Sequence, residues 1–560
     1  TSGQVQALST VQVQALTSSQ VGALTSSQLN NLETGQLARL SSVQAQNLSS
    51  AQLNALSSTA LQSIETADLR ALTSTQMQTL SAAQLNKLSD EQVGAITTVQ
   101  IQSLTSTQLN GLSSGVVQAL DSVQVNALTS TQVGGLSSAT LNKLTVEQVA
   151  DLTQATLVAI ATGALQGVST AQLNALDSAQ VQQLSTSQVQ ALTSAQLNNV
   201  DTAQLANLSS TQVTALTSRQ LNAMSSTAIQ ALETGDVQAM SSTQIQSLST
   251  ATINKLSQEQ LESLSETQLQ ALSSSQLNAL TSSSVQSLTT DGINDLTTTQ
   301  VQGLSAALLN RMSIEQMGAL ATSRVLAIGT AALQALSTDQ LNALSSTQVQ
   351  ALSSSQLQAL TSTQLNRVDV GQLTNLSSTQ VQKLSSVQLN ALNSTALQSL
   401  EDGDVAALSS AQVQALSTGQ LNNLTTSQVH ALTSDQVKSL TSAQLNALNS
   451  VQLQSLTTAA VAAVLTTQIA ALSSVQLNNL GSDQLQALTS GQVRALSTGQ
   501  LNSLNTSQVE SLTTAQAQSL SSTQLNALSS TVTQAIETVD LQALTSTQMQ
   551  TLSATQLNKL

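Results

Sequence analysis

The sequence predicts an all-α solenoid with one very short capped helix per octapeptide. Three observations predict it. The 560 residues divide into 70 octads, in phase from Thr1 to Leu560 without an insertion. An octad usually opens on a hydroxyl residue, carries Gln three places later, and places aliphatics at positions 5 and 8, as in TSSQVGAL and TSSQLNNL from Thr17 to Leu32. A slower rhythm marks a subset of octads with Asn at position 6.

Position 1 with position 4 reads as a capping box: the hydroxyl accepts from the N–H three residues on and the Gln side chain returns to the cap, as expected for Thr17 with Gln20 and Thr25 with Gln28. Positions 5 and 8 are i and i+3, so they share a helix face. Position 8 is Leu, or Ile, Val or Met as at Ile64, Val168 and Met240; position 5 is small or polar only at points such as Ala45, Ala517 and Thr533. One continuous helix is excluded, because eight residues overshoot two turns by about 80° and would wind the apolar stripe around the axis. Isolated helices this short are marginal in water, so stacking must hold them. A β-solenoid is the alternative, since Ser, Thr, Val and Gln suit stacked strands. Against it stand the sparse glycines, the opposite strand parity of positions 5 and 8, and the slower rhythm.

That rhythm runs through Asn30, Asn54, Asn86, Asn110, Asn142 and on to Asn558, in steps of three or four octads averaging about 28 residues, with Asn126 and Asn294 outside it. Three-four alternation is what a helix shows when one face is marked. The unit here is an octad, which gives about 3.5 octads per superhelical turn and seats each helix over the gap between two of the next turn. With helices about 8–10 Å apart, 560 residues would form a rod about 160–200 Å long.

Along the chain two further markers return. ETADLRAL, with Glu65 and Asp68, is echoed by Glu233 with Asp236, Glu401 with Asp404 and Asp402 beside it, and Glu537 with Asp540. The apolar block TLVAIATGALQGV at Thr156 returns near Arg324 and Ala460. No linker interrupts the repeat, so residues 1–560 read as a single continuous octapeptide-repeat solenoid. The start at Thr1 and the ends on octad boundaries suggest a segment of a longer or processed chain.

Composition narrows the function. Cys, Pro, Phe, Tyr and Trp are absent, and 13 basic against 28 acidic residues give a net charge of −15. That leaves no disulfide framework, no aromatic stacking platform, and no basic cluster for nucleic acid. The longest apolar run, Ala459 to Leu465, is far short of a membrane span. His430 is the one histidine and stands in an ordinary octad. A hydroxyl nucleophile needs an activating base, so no catalytic residue is assigned and the expectation is a non-enzyme.

Two candidate surfaces remain. The acidic octads lie midway between Asn markers. Calcium, a hard cation that takes carboxylate oxygens, is the cofactor they could hold, at Glu65, Asp68, Glu233, Asp236, Glu401, Asp402, Asp404, Glu537 and Asp540. Against it, two carboxylates per site are too few for a full shell, and acids in a first helical turn are expected from capping. The opposite edge carries Asn54, Asn86 with Lys87, Asn142 with Lys143, Asn254 with Lys255, Asn310 with Arg311, Asn366 with Arg367, and Asn558 with Lys559. These Asn side chains either satisfy the backbone of a neighbouring turn or form a seam between rods. In the second case unlike edges meet heterologously and give fibres, sheets or tubes.

The run of S/T-S/T-x-Q-L/V-x-x-L units, seen in SSTQVQAL at Ser345 to Leu352, resembles repeat regions of very large secreted bacterial surface proteins labelled as adhesion or haem-utilisation proteins. The resemblance implies an extracellular or cell-surface setting. It carries over no haem ligand, because Cys and Tyr are absent and His430 stands alone. The expected function is therefore structural: a rod-like extracellular fibre, filament or stalk formed by self-association, with other surface components as further partners. The alternative is an adhesin or binding module that uses the acidic or Thr-rich face for calcium, a polymer or ice.

Overall fold

The computed structural model describes all 560 residues, Thr1–Leu560. It contains 70 helices of four to six residues, one per octad, and no strand. The all-α solenoid is the fold; the β-solenoid alternative is not. No helix is long and apolar enough to cross a membrane.

The corners explain why few glycines are needed. Each helix ends at position 7 or earlier, and the chain turns through two extended residues, position 8 and position 1. Leu56 has φ −63° and ψ 135°, and Ser57 has φ −64° and ψ 162°. No residue has a positive φ and no peptide bond is cis. The extended position 1 is the backbone an N-cap requires, so the same residue that makes the corner also starts the next helix.

Two compact units divide the chain, Thr1–Leu288 and Thr289–Leu560. Each is built the same way. Within the first unit, helix Ser106–Asn110 packs against both Ser130–Gly134 and Ser138–Leu141, the third and fourth helices after it. Helix Ser194–Asn199 packs likewise against Ser218–Ala223 and Ser226–Gln230. The 3.5-octad turn read from the Asn rhythm is this three-and-four packing. Positions 5 and 8 fill the core, for example Leu53, Leu56, Leu61 and Ile64, all buried. Burying each such side chain stabilises by about 1.5–3 kcal/mol. Where position 5 is small, as at Ala45, Ala517 and Thr533, it is still buried. The interior void lined by Leu109, Leu120, Val133 and Ile160 measures about 30 Å³, room for about one water.

Candidate functional site

The capping boxes form as the sequence predicts. At Ser185–Gln188 the Ser185 Oγ accepts the Gln188 N–H at 3.2 Å, while Gln188 Oε1 accepts the Ser185 N–H at 2.9 Å. The glutamines do more than cap. Gln188 Nε2 donates to the carbonyls of Leu157 at 2.9 Å and Ile160 at 3.0 Å, one turn below. Gln132, Gln212 and Gln428 repeat this at the same offsets of 31 and 28 residues. These carbonyls sit at the C-terminal end of a helix, where backbone donors run out: Leu157 keeps the Ile160 N–H at 3.2 Å and Ile160 lies past the last helical residue. Position 4 is therefore a buried amide ladder between turns. Sequence reasoning assigned it to capping alone, and only the burial of these glutamines in the fold reveals the second role.

Position 6 forms a second ladder in the opposite direction. Asn54 Nδ2 donates to the Thr79 carbonyl at 2.9 Å and its Oδ1 accepts the Ser81 N–H at 2.7 Å. Asn86, Asn142, Asn254, Asn310 and Asn366 bridge the same two groups of later octads; Asn558 lies in the last octad. The amides named as a seam between rods thus close the gap between two octads of the same chain. Of the two readings of the phased asparagines, this is the neighbouring-backbone one.

The Oδ1 contact also stands in for a missing cap at some octads. Asn30 accepts the Ser57 N–H at 2.6 Å, and that octad has Ala60 where its own Gln would stand. Asn198 does the same for Ser225, ahead of Ala228. Asn126 and Asn294, the two outside the rhythm, accept from Thr153 and Ala321, whose octads carry Thr156 and Arg324 at position 4. Both of these extra Asn residues stand four octads before one that lacks its capping Gln. Other residues at position 6 reach only the carbonyl: Gln62 to Lys87, Arg70 Nε to Ala95, and His430 Nδ1 to Ser455 at 3.0 Å. His430, which stands in an ordinary octad, is exposed and is one more rung.

Four of the six lysines are turned inward as well. Lys87, Lys143, Lys255 and Lys559 are half-buried, and each ammonium donates to a position-8 carbonyl one turn below: Leu56, Leu112, Met224 and Leu528. In the octads of Lys143 and Lys255, position 4 is Thr140 or Thr252, which is too short to reach that carbonyl. Lysine there replaces the missing glutamine amide. Their position in the octad was the legible signal: Arg39, Lys87, Lys143, Lys255, Arg311, Arg367, Lys383 and Lys559 all occupy position 7, and each follows a four-residue helix.

The acidic pairs divide. Asp68, Asp236, Asp404 and Asp540 stand at position 4 and are buried, whereas Glu65, Glu233, Glu401 and Glu537 are exposed N-caps. Hydroxyls of Ser42, Ser210 and Ser378 donate to Asp68, Asp236 and Asp404 at 2.7–2.8 Å. Burial pushes the Asp68 and Asp540 carboxyls above their ordinary range, and the neighbouring Glu65 and Glu537 add to it; at Asp68 the Ser42 hydroxyl pulls the other way. Asp402 accepts from Ser427 in a later octad, so it faces away from Asp404 and does not join that pair. No group of three or more acidic or histidine side chains is placed to hold a metal ion.

The ALTTAQ repeat model matches residues 1–34, 61–98, 101–138, 157–194, 229–266, 325–354, 397–434, 405–442, 461–498 and 493–530, more than half of the chain. The chain belongs to the ALTTAQ repeat family. In octad terms those six letters are positions 7, 8 and 1 to 4, as in ALTSAQ from Ala191 to Gln196. No curated protein matches. Among solved structures, a chain of a homology model of the full-length AP-3 complex in an intermediate open conformation is similar at 11% identity. It covers 87% of this chain and 76% of its own, with a TM-score of 0.19. A structure of APUM23-GGAUUUGACGG is similar at 15% identity, covering 94% and 86%, with a TM-score of 0.12. Superpositions this loose say nothing about function.

Proposed function

We propose that this ALTTAQ repeat chain is a structural protein, the shaft of an extracellular fibre, filament or stalk on a bacterial surface, which associates with copies of itself along its length. One observation carries the reading. Once per turn from Val11 to Ala155, position 3 presents Val11, Val43, Ala67, Val99, Val123 and Ala155, spaced by 32 or 24 residues about the 28-residue turn. All are exposed, and the valines are 60–71% so. An apolar column on an otherwise hydroxyl- and amide-covered surface supports a lateral contact there. The lateral contact belongs to this column rather than to the asparagines and lysines, whose polar ends are already bonded within the chain. The hydroxyls and amides that could serve chemistry hold caps and turns together, which favours a structural protein over an enzyme.

Electron microscopy and sedimentation of the purified chain test this. Filaments or bundles are expected, and Val11→Lys, Val43→Lys, Val99→Lys and Val123→Lys together should disperse them with circular dichroism unchanged. Monodisperse single particles at high concentration, or bundles that survive the four substitutions, would overturn it.

A further inference from the structure

We propose that the four acidic octads are calcium sites, each built from the Asp and Glu carboxylates together with two backbone carbonyls of the turn below. In a regular octad the position-4 amide donates to carbonyls 31 and 28 residues earlier. Before Asp236 those are the carbonyls of Leu205 and Leu208, and a carboxylate has no proton to give them. Asp is also one C–C bond, about 1.5 Å, shorter than Gln. An amide-to-carbonyl contact of about 2.9 Å thereby opens to about 4–5 Å between oxygens. That is twice the calcium–oxygen distance of about 2.3–2.6 Å.

The Asp236 side chain is the independent sign of a missing ligand. It is 5% exposed; Ser210 donates to its Oδ1 at 2.7 Å, and its Oδ2 is enclosed with no hydrogen-bond partner. Glu233, at the N-cap of the same helix, makes no cap bond and is free to turn toward it. The octad before has Ala228 at position 4, so its hydroxyl N-cap Ser225 is likewise without a capping Gln. Asp68, Asp404 and Asp540 stand at the same position of equivalent octads, although at Asp404 the Oδ2 takes the Glu401 N–H at 3.2 Å and the open oxygen is seen at Asp236 alone. Two carboxylates alone are too few for calcium; adding two carbonyls and water completes a shell of at least six oxygens. The two negative charges would be neutralised in place.

This inference is independent of self-association and is tested on dispersed chains. The full chain, stripped with EDTA, is titrated with calcium chloride by calorimetry and melted with and without it. Saturable heat with up to four sites per chain is expected, at about 10⁻⁴–10⁻³ M as in extracellular modules, with a melting midpoint that rises and levels off. The variant carrying Asp68→Gln, Asp236→Gln, Asp404→Gln and Asp540→Gln restores the ordinary amide. It should fold, melt higher than the parent in EDTA, and ignore calcium. No saturable heat at millimolar calcium, or an equal rise in the parent and the glutamine variant, would overturn the proposal.

Discussion

Replacing Gln188 with Met tests the amide ladder, because the side chain keeps its approximate shape and loses only its polar end. Gln188 is 1% exposed. Its loss leaves the Leu157 carbonyl with the Ile160 N–H at 3.2 Å, but removes the side-chain partner of the Ile160 carbonyl and of the Ser185 N–H. The orphaned carbonyl of buried Ile160 costs about 1–3 kcal/mol, and the shared Leu157 carbonyl and the N–H of exposed Ser185 about 1 kcal/mol each. The expected destabilisation is therefore about 3–5 kcal/mol. Coupling in a solenoid runs mainly to neighbours, so hydrogen exchange should quicken in the octads at 153–160 and 185–192 and stay unchanged at 33–40. Mass-detected exchange with denaturant melts reads both. A cost below about 1 kcal/mol, or exchange raised evenly along the chain, would refute the ladder as the force between turns.

Three further outcomes are expected. Asn198→Ala should cost about 1–2 kcal/mol more than Asn422→Ala, because Asn198 serves an octad with Ala228 at position 4. The Asn449 N–H served by Asn422 also reaches Gln452; paired denaturant melts measure the difference. Lys255→Met strips the Met224 carbonyl of its ammonium and should cost about 1–3 kcal/mol, whereas Lys438→Met, at an exposed position 6, should be near neutral in the same assay. The Asp68 and Asp540 carboxyls lie above the ordinary 3.8 when folded, so the folded chain holds more protons than the unfolded one just above that pH. In calcium-free buffer, stability should then fall as pH rises through that window. Asp68→Asn with Asp540→Asn should flatten the melting profile.

The helices, their caps and the 3.5-octad turn were legible because each rests on a local pattern: hydroxyl and Gln three apart, two aliphatics three apart, and an Asn rhythm. The partners of those side chains were not, since Gln188 meets Leu157 across a whole turn and nothing adjacent in sequence marks that meeting. Asn126 and Asn294 looked like exceptions because their cause, Thr156 and Arg324, lies 30 residues on. The lysines read as a charged edge because sequence gives a residue's place on the surface and not the direction of its side chain. Lys87 lies beside an Asn marker, and its ammonium returns to Leu56. The acidic pairs were legible as carboxylates; the carbonyls that face them became visible only in the fold.

Cryo-electron microscopy of the native material, with a power spectrum of any filaments, bears most directly on stacked short helices acting as a structural element. Filaments with strong layer lines near about 10 Å, the spacing of packed helices, are the expected result. A dominant repeat near about 4.8 Å would mean stacked strands and contradict the fold. Isolated particles with no lateral or axial association would contradict the function.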